Sequence, residues 1–311
     1  MSLPVLPAAR LPAHAPEQRW LVEQLWGAEA VGIIGGEPKC CKSFLALDLA
    51  VSVASGTACL GHFRTAGAAR VLLYAAEDPL HVVRERLEGI TAARGAALHN
   101  LPVFVITAPR LRLDDSAHCD QLCDTIEKIK PALLVLDPFV RLHAIDENAA
   151  GEVAPLLAFL RQLQRKHHLA VALVHHARKD AARARPGQAL RGSSEFHAWG
   201  DSNLYLRRRE QNLRLSVEHR AARSPDDLTL ELATDPLALR IADSPPAVDP
   251  PGQLCAAQRI EQALLAATAP LTVRQLRAVC RIRSETLCTT LDAMVAAGRV
   301  IRSSDGYSLA A

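Results

Sequence analysis

The feature that most constrains this chain is the eight-residue segment Gly36-Glu37-Pro38-Lys39-Cys40-Cys41-Lys42-Ser43. It follows the apolar residues 30–34 and leads directly into residues 44–50, which continue as a predicted helix. A strand, a loop that ends in Lys-Ser and a helix, in this order, are typical of a phosphate-binding loop. The sequence therefore predicts a site for a phosphorylated ligand at the start of the first helix.

The loop offers several phosphate contacts. Backbone N–H groups and the positive end of the helix attract the β-phosphate, Lys42 is expected to reach the β- and γ-phosphates, and Ser43 is expected to hold Mg²⁺. Such loops usually have glycine where Cys41 stands, so we expect a negative φ there or a slightly opened loop. The candidate nucleotide contacts are Gly36, Glu37, Pro38, Lys39, Cys40, Cys41, Lys42, Ser43 and Phe44.

Composition indicates a globular protein with a large core. The chain has 311 residues, 49% hydrophobic and 22% charged, which suits one large domain and a small one. No apolar run approaches the roughly 20 residues that cross a bilayer. The N-terminus has no basic stretch followed by an apolar one. We therefore expect a cytoplasmic protein without a membrane partner.

The eight cysteines do not match a zinc-binding pattern. We expect buried, reduced thiols. The adjacent Cys40 and Cys41 offer an alternative, since a loop that lowers their pKa would make them sensitive to oxidation. Cys119 and Cys123 lie four residues apart on a predicted helix and are expected to face the same way, but two thiols do not make a metal site.

Beyond the loop, continuous apolar runs alternate with predicted helices. Runs rich in Val, Leu and Ile suit strands that helices cover on both faces. The predicted fold class is therefore α/β, with a doubly wound and mostly parallel sheet. The runs are residues 70–74, 101–106, 132–137 and 169–174, and the helices are residues 79–94, 117–129 and 150–167.

After residue 200 apolar and polar residues alternate, which predicts antiparallel strands that extend the sheet. These strands are residues 202–207, 213–217, 228–232 and 237–241. A proline-rich linker at 242–253 separates two predicted domains. The domains are residues 1–241, which include an N-terminal segment at 1–29, and residues 254–311.

The C-terminal domain has the element order of a small winged helix-turn-helix. Its predicted helices are residues 254–268, 272–280 and 284–297, with caps at Thr272 and Ser284 and a β-ribbon around Asp305-Gly306. Seven arginines against four acidic residues account for the whole net charge of +3. This charge favours DNA binding through Arg283, Thr286 and Arg302. A protein-docking domain is the alternative.

Carboxylates follow two of the predicted strands. Asp137 ends the apolar run 133–136 and is expected to hold Mg²⁺ beside Ser43. Glu77 and Asp78 follow another run, at the edge of the sheet where ligands bind in open α/β folds. We assign Glu77 to activation of the attacking water and Asp78, which precedes Pro79, to capping of the next helix.

Two adjacent histidines, His175 and His176, end a further strand. Successive residues of a strand point to opposite faces, so one histidine can contact a γ-phosphate and the other is structural. The basic residues that follow form either a solvated loop or an element that contacts nucleic acid and reports the nucleotide state. Their position after the histidines favours the second interpretation. They are Arg178, Lys179, Arg183 and Arg185.

In this order and spacing, GEPKCCKS, YAAEDP, LLVLDP, LVHHARKD and LRGSS resemble the motifs of RecA-like AAA ATPases, typified by the plasmid-encoded hexameric RepA replicative helicase. The resemblance covers roughly residues 18–241. It implies a RecA-like P-loop fold, ATP and Mg²⁺ as ligands, DNA as a partner, and a homo-oligomer, either a hexameric ring or a filament. It makes Glu77 the catalytic base, Asp137 a Mg²⁺ ligand and His176 the γ-phosphate sensor.

The same resemblance places the helicase's arginine finger at Asp201, counting on from the LRGSS motif, so no arginine stands there. Other arginines that could reach a neighbouring subunit's phosphate are Arg191, Arg207, Arg208 and Arg209. We expect a Mg²⁺-dependent ATPase that couples hydrolysis to DNA remodelling or unwinding. An ATP-switched DNA-binding regulator or replication initiator with slow turnover is the alternative. A small-molecule kinase is disfavoured, because no arginine-rich lid segment can be placed.

Overall fold

The computed structural model describes residues 5–10, 20–176, 195–209, 212–242, 256–267, 270–280, 287, 290–291, 294–295, 299–303 and 306–309. The chain divides into two compact units, Met1–Ala242 and Asp243–Ala311. Among the described residues, no helix combines the length and the apolar character that crossing a membrane requires.

The first unit contains a large sheet flanked by helices. Its strands are β1 Trp20–Val22, β2 Trp26–Gly27, β3 Val31–Gly36, β4 Val71–Ala75, β5 Val103–Val105, β6 Leu133–Asp137, β7 Ala170–His176, β8 Ser202–Arg209, β9 Asn212–His219, β10 Leu228–Thr234 and β11 Leu237–Ile241. Its α-helices are α1 Lys42–Ser55, α2 Leu80–Ala93, α3 Ser116–Ile129, α4 Ala150–His167 and α5 Glu195–Trp199. Short 3₁₀ helices lie at Ala8–Arg10, Leu98–Asn100 and Phe139–Arg141.

In the described part of the chain, strands β3 to β11 form one sheet in the order β11-β10-β9-β8-β3-β7-β6-β4-β5. Neighbours from β8 to β5 in this order run parallel. Every residue of β3 and β6 is buried, and successive residues such as Leu72 and Leu73 of β4 enter apolar clusters on opposite faces. Strands buried on both faces need these continuous apolar runs. The predicted doubly wound α/β class is confirmed.

Strand β8 carries the change from parallel to antiparallel pairing. It pairs parallel with β3, where Gly36 lies opposite Leu206, and antiparallel with β9 from Ser202 to Arg209. Strands β9, β10 and β11 continue the antiparallel extension, as their alternating pattern predicts.

The antiparallel extension bends back onto helix α2. A Cβ at Gly89 of α2 would lie 2.6 Å from the carbonyl oxygen of Leu237 on β11, so only glycine fits this close approach. The last strand of the sheet therefore packs against α1 and α2, which belong to the nucleotide-binding half of the unit.

The N-terminal segment contains a short hairpin, β1 and β2, that the sequence analysis missed. Its strands have three and two residues, too few for an alternating pattern to show. Trp26 anchors the hairpin: it is fully buried, and its Nε1 donates to the carbonyl of Ala30 at 3.3 Å.

The second unit contains helices α6 Ala256–Leu265 and α7 Val273–Cys280 and an antiparallel ribbon of β12 Val300–Ser303 and β13 Gly306–Leu309. Thr272 Oγ1 accepts from the Gln275 N–H at 3.3 Å, and Gln275 Oε1 accepts from the Thr272 N–H at 2.9 Å. This reciprocal capping box confirms the predicted cap at Thr272.

The predicted third helix, residues 284–297, lies mostly outside the described residues, as does its predicted cap at Ser284. Of this segment, Leu287, Leu291 and Met294 are buried in the apolar core of the second unit. The winged helix-turn-helix assignment and the boundaries at 241 and 254 remain predictions.

Candidate nucleotide-binding site

The carboxyl ends of four parallel strands meet at one edge of the sheet. They are Gly36 of β3, Ala75 of β4, Asp137 of β6 and His176 of β7. A cavity of about 330 Å³ opens at this edge, where open α/β sheets bind ligands. The predicted residues that line it include Lys42, Ser43, Glu77, Asp137 and His176. A larger cleft of about 560 Å³ between α2 and β5 is lined by none of these residues.

Gly36 begins the loop at a point of close backbone approach. A Cβ at this position would overlap the carbonyl oxygen of Leu206 on β8 and would lie 2.7 Å from Sγ of Cys40. The start of the loop therefore requires glycine.

Two residues of the loop have left-handed backbone conformations: Lys39 with φ 60°, and Cys41 with φ 64° and ψ 27°. The expectation of a negative φ or an opened loop at Cys41 is wrong. The turn into α1 keeps the geometry that glycine adopts freely, and cysteine adopts it at a cost of roughly 1–2 kcal/mol. In this conformation the Cys41 carbonyl accepts a helical hydrogen bond from the Leu45 N–H at 3.1 Å.

Lys42, the first residue of α1, is almost fully buried. Its Nζ donates to the carbonyl oxygen of Glu37 at 2.7 Å and lies 3.9 Å from Sγ of Cys40. The ammonium group therefore lies within the turn of the loop, at the wall of the cavity that Lys42 lines.

Asp137 accepts a hydrogen bond from Ser43, as a shared Mg²⁺ site requires. Burial raises the pKa of Asp137 to about 6, with smaller contributions from the nearby Asp78 and Glu77, while Ser43 and Lys42 oppose the shift. In the part of the chain that the structure describes, no group of three His, Cys, Asp or Glu could hold a metal by itself. A carboxylate and a hydroxyl are oxygen ligands that suit Mg²⁺, which commonly completes its shell with phosphate oxygens and water.

Asp78 does not cap α2, so that assignment is wrong. The cap position is occupied by Pro79 without a side-chain hydrogen bond, and both oxygens of Asp78 accept from Arg86 instead. Arg86 also lies over the ring of Phe44, 5.0 Å from its centroid, and lines the cavity. The sequence analysis missed Arg86. Its position two helical turns after Asp78 is a signal that could have found it.

Glu77 has a partner that the sequence analysis also missed. Its Oε1 accepts from Nε of Arg141 at 3.0 Å. Arg141 ends the 3₁₀ helix Phe139–Arg141, which follows β6 and Asp137 almost directly. The proposed base and the proposed Mg²⁺ ligand are therefore both positioned by the end of β6.

The two histidines of β7 point to opposite faces, as the strand geometry predicts. His176 lines the cavity. His175 is buried and stacks on Phe196 with ring centroids 4.2 Å apart. The basic residues Arg178, Lys179, Arg183 and Arg185 lie outside the described residues, as do Arg283 and Thr286. Arg302 is described: it is exposed on β12, with its guanidinium 5.8 Å from the centre of the Tyr307 ring.

Asp201, where the resemblance places the arginine finger, has several partners in its own chain. Arg161 pairs with its carboxylate through both terminal nitrogens, Arg220 Nη1 lies 3.2 Å from Oδ1, and the Val31 N–H donates to Oδ2 at 3.3 Å. These contacts tie the start of β8 to β3, which gives Asp201 a structural role.

Of the arginines considered as substitutes, Arg208 contacts the loop of its own chain. Its Nη2 donates to the carbonyl oxygen of Lys39 at 2.8 Å, and its guanidinium hydrogen-bonds the sulfur of Cys41. Arg191 lies outside the described residues.

The thiols of the loop are not activated, because burial raises the pKa of both Cys40 and Cys41. The redox alternative required a lowered pKa and is wrong on that point. Among the described cysteines, Cys40, Cys59 and Cys280 are buried, while Cys41, Cys119 and Cys123 are partly buried. Cys255 and Cys288 lie outside the described residues.

The sheet order and the loop, together with the residues that line its cavity, define a RecA-like P-loop ATPase. A family model described as an AAA domain (AAA_25) matches residues 2–182. Because this match spans more than half of the chain, the protein belongs to that AAA family, and it is an ATP hydrolase.

Solved structures share the fold at low sequence identity. The RadB recombinase is 15% identical with a TM-score of 0.51, over 70% of this chain and 92% of that one. A DnaB-like replicative helicase, solved in a study of its interactions with primase, is 13% identical with a TM-score of 0.52, over 68% and 57%. This chain therefore matches little more than half of that helicase. A further solved ATPase domain is 15% identical with a TM-score of 0.53, over 70% and 86%.

Proposed function

We propose that this protein is a Mg²⁺-dependent ATPase that binds DNA and couples ATP hydrolysis to DNA remodelling or unwinding in replication or recombination. The observation that carries the ATPase site is the convergence of Lys42, Ser43, Glu77, Asp137 and His176 on one cavity. The DNA part is supported by the motif resemblance and by the helicase and recombinase among the solved neighbours.

In this proposal Lys42 neutralises the negative charge that develops on the β- and γ-phosphates during hydrolysis. Ser43 and Asp137 hold Mg²⁺, which supplies further positive charge to the phosphates. Arg86 adds a guanidinium donor to the cavity, and its pairing with Asp78 fixes its direction.

Glu77 accepts the proton of the water that attacks the γ-phosphate, and Arg141 holds the Glu77 carboxylate in place. His176 contacts the γ-phosphate and passes its loss to residues 178–185, which follow it in the chain. This arrangement links the nucleotide state to a basic segment that is suited to phosphate backbones.

The proposed DNA contacts lie in two places. Arg178, Lys179, Arg183 and Arg185 follow β7, and Arg283, Thr286 and Arg302 belong to the C-terminal domain, proposed as a winged helix-turn-helix at 254–311. We further propose that copies of the chain assemble as a ring or filament.

The test is ATPase activity with and without single- and double-stranded DNA for the wild type, Lys42→Ala, Glu77→Gln and Glu85→Gln. Glu85 is exposed on α2, so its variant is a matched control for charge removal. Lys42→Ala is expected to lose nucleotide binding. Glu77→Gln is expected to keep binding and to lose about 10²–10⁴ in turnover. Full activity of Lys42→Ala would refute the site, and activity that DNA leaves unchanged would refute the DNA coupling.

The environment of Asp201 favours a second candidate function, an ATP-switched DNA-binding regulator or replication initiator. An acid tied to Arg161 and Arg220 cannot act as an arginine finger, and a missing finger costs roughly 10³–10⁵ in turnover. Sequence-specific footprinting by the full chain, with ATP-dependent assembly but no strand displacement, would select this function over the motor.

A further inference from the structure

The two residues of the phosphate-binding loop with left-handed backbones are the two that Arg208 contacts. Lys39 has φ 60° and Cys41 has φ 64°. The Arg208 guanidinium donates to the Lys39 carbonyl at 2.8 Å and to the sulfur of Cys41. Non-glycine residues persist in this conformation where surrounding contacts hold them, because each costs roughly 1–2 kcal/mol.

The pairing of β3 with β8 places Arg208 at the loop. Gly36, the last residue of β3, lies opposite Leu206, and the two backbones approach so closely that a Cβ at Gly36 would overlap the Leu206 carbonyl. Arg208 is two residues further along β8 and therefore projects from the same face as Leu206. The chain beyond Gly36 turns past this point, which brings Lys39 and Cys41 within reach of the guanidinium.

We propose that Arg208 is a positioning residue of the ATP site that acts within its own subunit. By holding Lys39 and Cys41, it keeps the loop in the shape that directs backbone N–H groups at the phosphates. The contact substitutes for the glycine that such loops usually have at position 41. This proposal rests on the nucleotide site assigned above, and it gives Arg208 a role different from that of an arginine finger in a neighbouring subunit.

The contact with Cys41 is one of orientation. Burial raises the pKa of this thiol, although Arg208, Arg86 and Lys42 all oppose the shift. A neutral sulfur accepts the guanidinium N–H without forming an ion pair. A glycine at position 41 would remove both the strain and the need for the contact, and this predicts a specific rescue.

The experiment measures ADP affinity, and kcat and KM for ATP, in Arg208→Ala, Arg208→Lys, Cys41→Gly and the double variant. Arg209→Ala is the matched control, because it removes the same charge from the opposite face of β8. Arg208→Ala is expected to weaken ADP binding and raise KM about tenfold, with little change in kcat. Arg208→Lys is expected to lose less. The double variant is expected to bind ADP within about twofold of Cys41→Gly alone.

Subunit mixing separates this role from a finger. If Arg208 acts on a neighbour, a mixture of Arg208→Ala and Lys42→Ala chains regains activity, and Arg208→Ala lowers kcat with unchanged ADP affinity. Either result would overturn the proposal, as would a double variant that binds ADP no better than Arg208→Ala. If Arg208→Ala does not fold, Arg208→Lys, alone and with Cys41→Gly, carries the same comparison.

Failure of the site assignment itself is recognised separately. In that case Lys42→Ala binds ADP as tightly as the wild type, whatever the Arg208 variants do.

Discussion

Oε1 of Glu77 lies 3.0 Å from Nε of Arg141, in a hydrogen bond between two side chains that are 41% and 61% exposed. A pair this exposed contributes little to folding. Its effect is therefore expected on the orientation of the Glu77 carboxylate towards the attacking water.

Arg141→Ala is accordingly expected to lower kcat about tenfold, with KM for ATP and the melting temperature unchanged. Steady-state ATPase assays and thermal unfolding measure the two effects. Arg84→Ala is the control, because it breaks a comparably exposed pair with Glu88 on α2. A kcat equal to that of the wild type would show that Glu77 needs no such support.

The raised pKa of Asp137, about 6, predicts pH-dependent stability. The unfolded carboxyl titrates near 3.9, so the folded state binds the proton more tightly. This stabilisation is complete below about pH 4 and is lost as the pH rises through about 6. With a chelator present, Asp137→Asn is therefore expected to raise the free energy of unfolding by about 3 kcal/mol near pH 7.5, and by much less near pH 4.5.

Urea unfolding at the two pH values checks this prediction. An equal difference at both would contradict it. Activity with Mg²⁺ is expected to change in the opposite direction, because asparagine lacks the anionic oxygen that holds the cation.

Asp201→Ala is expected to lower the free energy of unfolding by about 2 kcal/mol, because it leaves Arg161, Arg220 and the Val31 N–H without their shared acceptor. Asp227→Ala removes the partner of Arg214 in an exposed pair and is expected to cost less than about 0.5 kcal/mol. Chemical denaturation compares the two. Wild-type stability with a large loss of kcat would instead indicate a catalytic role for Asp201.

Gly36→Ala is expected to destabilise the protein by about 2 kcal/mol or more and to abolish nucleotide binding, because the new methyl group meets the Leu206 backbone. Gly151→Ala is the matched control. Gly151 lies in α4 with open space around its Cβ position, so alanine is expected to stabilise the helix by about 0.5–1 kcal/mol. Calorimetric unfolding and nucleotide titration distinguish these outcomes. Normal binding by Gly36→Ala would show that the loop moves away from β8 at little cost.

The sequence predicted the parts of the fold that burial on two faces determines. Strands such as β6 are continuous apolar runs, and their carboxyl ends converge because parallel strands share one edge. Glu77, Asp137 and His176 could therefore be placed together without coordinates. The hairpin β1 and β2 could not be predicted, since strands this short carry no periodic signal.

Pairings between distant charges were also beyond the sequence. Asp78 precedes a helix and a proline, which favours a cap by local rules, yet its contact with Arg86 is made across two turns of α2. The choice of Arg141 for Glu77 and of Arg208 for the loop depends on how the sheet brings β6 and β8 beside them. Local pattern does not distinguish one arginine from another in a chain with 36 basic residues.

The bend of the antiparallel extension has a mechanical consequence. Strand β8 contacts the phosphate-binding loop through Arg208, and the three strands that follow it end against Gly89 on α2, the helix that carries Arg86. The two sides of the cavity are thus joined by a continuous belt of hydrogen-bonded strands. Any force that draws β8 away from the loop also pulls on α2, and the cavity cannot widen between them unless Leu237 first slides off Gly89.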